Sequence, residues 1–405
     1  MAFAVRLGVV FSFPAVPIAD AADYHRLASA LVSGEGYVSA VGEPTAWRPP
    51  GYPAFLFIIY SLFGPSVQAA YCVQAAVGAL TVLLLMALGA LTMGKREAFI
   101  GGLLAVFYPG LFWLPRVLLS ENLSLPLLLG CLCLAIMVAK INSAWLSLAL
   151  GILLGASALV RGANVFVGGL IVLGLALQIW LQGLAWRKYV APLALIGLGG
   201  LIVMLPWTGR NFLVFRRFVP LSTQEGITLY ASYWPPINGT KRIWGNLPGI
   251  EDEQVAAASR LSGEAEISSY LQGVVLNRLW AEPSYFFKLW PEKIISTAAP
   301  FDWEWFPHKP GTTRSVNVAY LLILVPALFG ALYLMRYPIL RLWPLAVLPL
   351  SVLIQTLVFY GSPRFRLPAE LIALLLVPVG LNWAAQRMWP PEERGEPLAV
   401  AGGKQ

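Results

Sequence analysis

Residues 66–92 read SVQAAYCVQAAVGALTVLLLMALGALT, an unbroken run without a charged side chain. About 20 helical residues cross about 30 Å of hydrocarbon. This stretch is therefore long enough to span a membrane, and Lys95 and Arg96 stand just beyond it. Working outward, similar runs occupy 1–18, 97–115, 121–139, 144–160, 164–182, 189–206, 318–335, 342–360 and 367–386. The 405-residue chain is 58% hydrophobic and 12% charged, against about 25% charged in a soluble domain. Backbone in lipid must satisfy its own hydrogen bonds, and runs of this length do so as helices, not as barrel strands. The expectation is an all-α polytopic membrane protein, a bundle of about ten transmembrane helices.

Minor features fit that solvent. Pro14 and Pro17 follow the first run with no small-residue cleavage site, so the run is read as retained and not as a cleaved leader. Cys72, Cys131 and Cys133 all fall inside expected spans and read as small apolar residues, not as disulfides. His25 and His308 are the only histidines, which excludes a His-rich metal site. The net charge of +8 needs no nucleic acid, because basic residues anchor membrane loops.

Loop charge gives an orientation. Alternate loops hold Lys95 and Arg96, Lys140, Arg187 and Lys188, Arg336 and Arg341, then Arg387. Basic loops stay inside, so both termini are expected in the cytoplasm. Segments 19–65, 116–120, 161–163, 207–317 and 361–366 then lie outside. Glu97 is the only acid in the inner loops, and apart from Glu392, Glu393 and Glu396 in the tail the other acids share the outer face.

The chain divides into an N-terminal module 1–206, with its first outer loop 19–65, an extracytoplasmic segment 207–317, helices within 318–389, and a tail 390–405 expected to be disordered. Within the first loop Asp20 opens a helix that Gly34 or Gly36 ends. Residues 51–64 are apolar but too short to span, which predicts an interfacial helix carrying Tyr52, Phe55, Phe57 and Tyr60. In the long segment, Ile267, Leu271, Val274, Val275 and Leu279 form a helical stripe. The aromatic stretch Trp280 to Trp305 then suits a membrane surface, and between it and 51–64 a groove for lipid access is expected. Asn238-Gly-Thr240 and Asn122-Leu-Ser124 match the glycosylation triplet, a pattern common by chance.

Outer arginines oppose the orientation rule. Arg116, Arg161, Arg364 and Arg366 sit in short outer loops, and Arg48 and Arg210 lie beside membrane ends. A fixed anion such as a lipid phosphate, held bidentately, gives such a cluster a purpose. The alternative is ion pairing with Asp20, Asp23, Glu121 and Glu370. The acids have two readings as well. Asp20 alone reads as a helix N-cap and Glu121 as a first-turn acid favoured by the helix dipole. Carboxylates at the membrane edge of a bundle are also candidates for function. Tyr24 lies at i+4 from Asp20, on the same face.

Several motifs in order carry a family resemblance. Asp20-Ala-Ala-Asp-Tyr24, Gly34-Glu-Gly-Tyr37 and Trp47-Arg-Pro-Pro-Gly-Tyr-Pro53 resemble the first outer loop of GT-C superfamily glycosyltransferases. The nearest group is the bacterial relatives of protein O-mannosyltransferases and of the lipid A aminoarabinose transferase. The likeness continues at Leu119-Ser-Glu-Asn122, Pro206-Trp-Thr-Gly-Arg-Asn211, Phe218-Val-Pro-Leu-Ser222 and Ser362-Pro-Arg-Phe-Arg-Leu-Pro368, over most of 15–370.

The resemblance implies inverting transfer of a sugar from a polyprenyl-phosphate donor to an acceptor hydroxyl on protein, lipid or glycan, at the outer face of the inner membrane. It matches Asp20 to the catalytic acid, Arg48 to a donor-phosphate ligand and Glu121 to a second acidic position. Asp23 is expected to share the work, since Ala21 follows Asp20 where the family often has a second acid. Arg364, Arg366 and Arg210 are expected to assist Arg48, with Tyr24 and Tyr52 positioning donor or acceptor. Some members bind a metal, but Ala46 and Trp47 stand where its acid ligand would be. No cofactor is expected to be required, with a divalent ion left open. Asp20 is the expected general base, and a two-carboxylate hydrolase pair is not implied.

Two other classes compete. A lipid-glycan flippase or transporter places ionisable groups mid-span and near both faces, and no internal repeat supports it. A scaffold protein has no use for outer-edge arginines. An oligosaccharide ligase uses the same lipid phosphate with a glycan donor.

Overall fold

The computed structural model describes residues 1–13, 15–233, 252–300, 316–337 and 339–388. Among these residues the chain is helical, with one isolated bridge between Val38 and Pro44. The helices are α1 (Ala2–Ser12), α2 (Asp20–Val32), α3 (Gly51–Phe63), α4 (Val67–Thr92), α5 (Lys95–Phe107) and α6 (Pro109–Phe112). There follow α7 (Glu121–Ile141), α8 (Ala144–Val160), α9 (Asn164–Leu181), α10 (Arg187–Phe215), α11 (Gln224–Tyr233) and α12 (Glu253–Ala258). The last are α13 (Glu264–Ala281), α14 (Pro283–Ala298), α15 (Val318–Leu334), α16 (Ile339–Val358) and α17 (Leu367–Met388). Two 3-10 turns, Leu114–Arg116 and Pro363–Arg366, complete the connections.

Five helices are long and apolar enough to cross a membrane: Val67–Thr92, Glu121–Ile141, Asn164–Leu181, Arg187–Phe215 and Pro363–Arg387. A sixth is counted if Lys95–Phe107 and Pro109–Arg116, bent by 65°, form one span. The bend has a local cause: Tyr108 is extended, as a residue before proline prefers, and Pro109 restarts the helix. Ala144–Val160, Val318–Leu334 and Leu342–Val358 are apolar but shorter. The expected span 1–18 is a helix of 11 residues, which reaches only about 16 Å at 1.5 Å per residue. Helices thus occur where all ten runs were expected, while five to six meet the length and composition of a span. The protein is a multi-pass membrane protein.

Helix pairs meet through small residues. A Cβ on Gly151 or Gly199 would run into backbone of the partner helix, so α8 and α10 approach at backbone distance. Gly330 and Gly380 do the same for α15 and α17. In lipid, where apolar burial gives little drive, such close packing holds helices together. Leu85, Leu129, Leu132, Ile171, Leu348 and Leu375 lie in the buried interior. Leu83, Phe99, Leu173 and Leu322 are exposed, as expected of side chains that face acyl chains.

α3 has 13 residues, about 20 Å of helix, and packs on α2 and α8. One face buries Tyr52, Leu56, Ile59 and Tyr60, and the other exposes Ile58, Leu62 and Phe63. This agrees with an apolar helix that does not cross. The stripe expected on 267–279 is the inner face of α13: Leu271 and Val275 are buried with Tyr230, Tyr233 and Leu289 in a separate core. Asn238, Thr240, residues 301–305 and the tail from Pro390 lie outside the described residues.

Candidate active site

Asp20 does not cap α2. The helix begins at Asp20 itself, after Ala19 at φ 48°, and its first turn has no side-chain cap. A positive φ is costly for alanine; here it turns the chain sharply into α2. The N-cap reading of Asp20 is thereby corrected: its carboxylate is committed to guanidiniums instead.

Arg48 Nη2 lies 2.7 Å from Asp20 Oδ1 and 3.0 Å from Asp23 Oδ2, while Nη1 donates to Gln224 Oε1 at 3.0 Å. The loop that carries Arg48 is pinned on several sides. Tyr37 Oη donates to the Arg48 carbonyl at 2.9 Å, and the Thr45 hydroxyl donates to Glu264 Oε2 at 2.8 Å. The Ala46 amide donates to the same carboxylate, and the Ala46 carbonyl accepts from the Thr223 amide at 2.9 Å.

Arg364 comes from the far end of the chain. Its Nη1 lies 2.7 Å from Asp20 Oδ2, its Nη2 donates to Glu121 Oε2 at 3.0 Å, and its Nε pairs with Glu121 Oε1. Arg161, just past α8, places Nη1 2.6 Å from Glu121 Oε1. Ser362 shapes the Pro363–Arg366 turn by accepting from the Arg364 amide at 3.3 Å. Three carboxylates and three guanidiniums from five separate places in the chain thus form one connected network. The ion-pairing alternative raised from sequence describes its resting contacts.

The network borders a cavity of about 320 Å³, lined by Asp20, Tyr24, Arg48, Arg161, Arg364 and Glu225 of α11. Burial pushes the Asp20 carboxyl up, but the guanidiniums of Arg364 and Arg48 outweigh it and hold its pKa below the ordinary value. Glu225 behaves oppositely. Burial raises it to about 7, opposed only by a hydrogen bond from Ser222. Tyr24 packs edge-on against Tyr52 at 4.8 Å and lies 5.3 Å from the Arg48 guanidinium carbon.

Residues 47–209 match the model of the family described as dolichyl-phosphate-mannose-protein mannosyltransferase. No curated protein matches the chain. Among solved structures, the archaeal oligosaccharyltransferase AglB from Archaeoglobus fulgidus, in complex with an inhibitory peptide and a dolichol-phosphate, is similar with a TM-score of 0.54. The identity is 12%, over 100% of this chain and 51% of that one. The Archaeoglobus fulgidus oligosaccharyltransferase in complex with Zn and sulfate gives a TM-score of 0.55 at 13% identity, over 96% of this chain and 49% of that one. The chain therefore spans about half the length of these two. ArnT from Cupriavidus metallidurans bound to undecaprenyl phosphate gives 0.47 at 16% identity, over 96% and 79%.

The chain has a GT-C fold.

Within the GT-C fold, the expected site residues separate into groups. Asp20, Arg48, Glu121 and Arg364 converge, with Asp23 on the flank of Arg48. Glu121 does not line the cavity; it lies behind Arg161 and Arg364 with 5% of its side chain exposed. Arg366 is elsewhere. It pairs with Glu370 at 2.5 Å, donates to the Ala299 carbonyl and lies 3.7 Å from the Tyr320 ring centroid. Arg210 donates to the carbonyls of Thr45 at 2.7 Å and Tyr37 at 3.2 Å, bracing the loop and not facing the cavity. Tyr52 is wholly buried, its hydroxyl held by Gln74. Neither α3 nor α14 contributes a residue to the cavity wall, so the expected lipid groove between them is not part of this cavity among the described residues.

Sequence reasoning missed Gln224 and Glu225. They follow Phe218-Val-Pro-Leu-Ser222 in a long segment where loop-charge rules do not apply, and only that neighbouring motif pointed there. Arg161 was visible as an outer arginine, with Glu121 among the four acids offered as ion-pair partners. Among the described residues no three His, Cys, Asp or Glu side chains come together as a metal-binding group. Asp20, Asp23 and Glu121 are directed at guanidiniums instead.

Proposed function

We propose that the protein is an inverting glycosyltransferase that takes a sugar from a polyprenyl-phosphate donor at this cavity. The observation that carries the proposal is that Arg48 and Arg364 both grip Asp20 at the wall of one cavity. The family match over 47–209 supports it, since that range includes Arg48, Glu121 and Arg161.

A lipid-phosphate sugar is a phosphodiester with one negative charge. When the anomeric carbon–oxygen bond breaks, its electrons leave on the phosphate oxygen and a second charge develops. Arg48, Arg161 and Arg364 are placed to take that charge as it forms. Arginine suits the task through its planar fork of donors and permanent charge. The acceptor hydroxyl attacks the opposite face of the anomeric carbon and gives up its proton. Asp20 is the proposed proton acceptor. In the resting network both its oxygens are occupied, so donor phosphate that draws Arg48 and Arg364 away would expose it and restore its basicity. Glu121 and Asp23 position the arginines, and Tyr24 offers an aromatic wall. The site faces the extracytoplasmic side, with both termini in the cytoplasm.

The test uses membranes containing the full chain and radiolabelled undecaprenyl-phosphate monosaccharides, with lipid, protein and glycan fractions analysed for label. Asp20→Asn is expected to cut transfer by about 10²–10⁴-fold, the usual worth of a general base. Near-normal transfer would remove Asp20 from that role. Movement of labelled lipid across the bilayer without transfer would replace the enzyme with a flippase.

A further inference from the structure

Glu225 is the one carboxyl lining the cavity that has no guanidinium partner among the described residues. It stands in the first turn of α11 against the backbone of Gly162, where an added Cβ would lie 2.5 Å from Glu225 Oε1. Ser222 and Thr228 line the same cavity, so it offers a carboxyl and two hydroxyls from this segment. The same cavity is lined by Arg48, Arg161 and Arg364, and Arg48 reaches Gln224 beside Glu225. A cavity that holds fixed cations together with hydrogen-bonding groups outside the ion-pair network fits a molecule with an anionic end and a polyhydroxylated end.

The geometry points to Glu225 as the residue that recognises a ring hydroxyl of the donor sugar. The inference rests on the donor-phosphate reading above. Because the sugar is bonded to the phosphate, a phosphate at the arginines puts the ring within the same 320 Å³ space, a size at the small end of ligand sites of about 300–1,000 Å³. A carboxyl that titrates near 7 is present in both forms at neutral pH. It can donate to, or accept from, a hydroxyl. A fully ionised acid only accepts, and an acid locked to arginine has little left to offer. Asp20 and Glu225 would then have separate tasks: one beside the phosphate, one at the ring.

The experiment measures binding of bare undecaprenyl phosphate and of its glucosyl, mannosyl and galactosyl esters to the detergent-solubilised full chain. At least one ester should bind wild-type protein more tightly than the bare lipid. Glu225→Ala should remove about tenfold of that preference, the scale of a hydrogen bond to a group that carries charge. Gly162→Ala, which pushes Glu225 aside, should also reduce it. Glu225→Gln, which keeps donor and acceptor atoms, should retain part of it. Bare-lipid affinity should stay the same in all three variants, which also reports intact folding. If the bare lipid binds and no ester depends on Glu225, the sugar-recognition role is overturned while the phosphate site stands. If the bare lipid itself fails to bind wild-type protein, the donor-phosphate reading is what fails.

Discussion

Arg364 Nη1 lies 2.7 Å from Asp20 Oδ2, an ion pair between residues 344 positions apart. The same guanidinium reaches Glu121 through its other nitrogens. One side chain therefore ties the start of α2, the start of α7 and the turn before α17 into a single wall. Arg48 closes the other side of Asp20.

Arg48 should be sensitive to shape as well as charge. Its two terminal nitrogens serve different partners, the acids on one side and Gln224 on the other. Lysine keeps the charge and loses the fork. Donor KM in the membrane transfer assay should rise by at least about tenfold for Arg48→Ala, a loss of about 1.4 kcal/mol or more of binding. The rise should be smaller for Arg48→Lys. Equal and mild effects of the two changes would remove Arg48 from the phosphate site.

Glu121 is the most buried acid of the network. It is 5% exposed and faces both Arg161 and Arg364. Removing one member of a buried ionic cluster leaves charge uncompensated, at a cost of about 3–5 kcal/mol. Glu121→Ala should lower the thermal midpoint in detergent clearly, and Glu121→Gln less, because it keeps hydrogen-bonding atoms. Asp23→Ala, at a side chain 39% exposed, should change the midpoint little. A midpoint for Glu121→Ala equal to wild type would show that the cluster does not hold these helices together.

The two cavity acids should give stability opposite dependences on pH. Glu225 is raised to about 7 when folded, against about 4.3 unfolded. The folded state then holds more protons between these values, so this contribution is full below about 4 and is lost as pH rises through 7. Asp20 is lowered, so its contribution is present above about 3.9 and is lost as pH falls below that value. Thermal midpoints of wild type and Glu225→Gln, compared from pH 5 to 8, isolate the first effect from Asp20, Arg48, Arg161 and Arg364, which line the same cavity. Wild type should lose ground against the variant as pH rises. Parallel curves would mean that Glu225 does not titrate in this range.

Much of the architecture was legible because lipid imposes a local rule: each apolar run must form its own helix. The runs therefore marked all ten helix positions, and the short Pro-bounded 51–64 marked α3. Length was read less well. The run 1–18 yields 11 helical residues, and the run 97–115 is bent by 65° at Tyr108–Pro109. Apolarity continues through such breaks, whereas hydrogen bonding does not.

The site was legible in part. Membrane-edge position singled out Asp20, Arg48, Glu121 and Arg364, and the fold brings these together. The same criterion also selected Arg366, Arg210 and Tyr52, which serve structure elsewhere. Being at an edge says nothing about which way a side chain turns. Arg364 and Arg366 are two residues apart in one 3-10 turn, yet one meets Asp20 and the other Glu370.

By itself, then, the sequence determined the solvent, the helical class and the set of charges that needed a reason to exist. Those follow from composition and local hydrogen bonding, which act along the chain. Only the tertiary structure decided that Glu121 stands behind the arginines, that Asp20 is held from both sides, and that Glu225 completes the cavity from a distant helix. Those facts depend on distances between segments up to 344 positions apart, set by how glycine-lined helices pack and where the breaks between them fall.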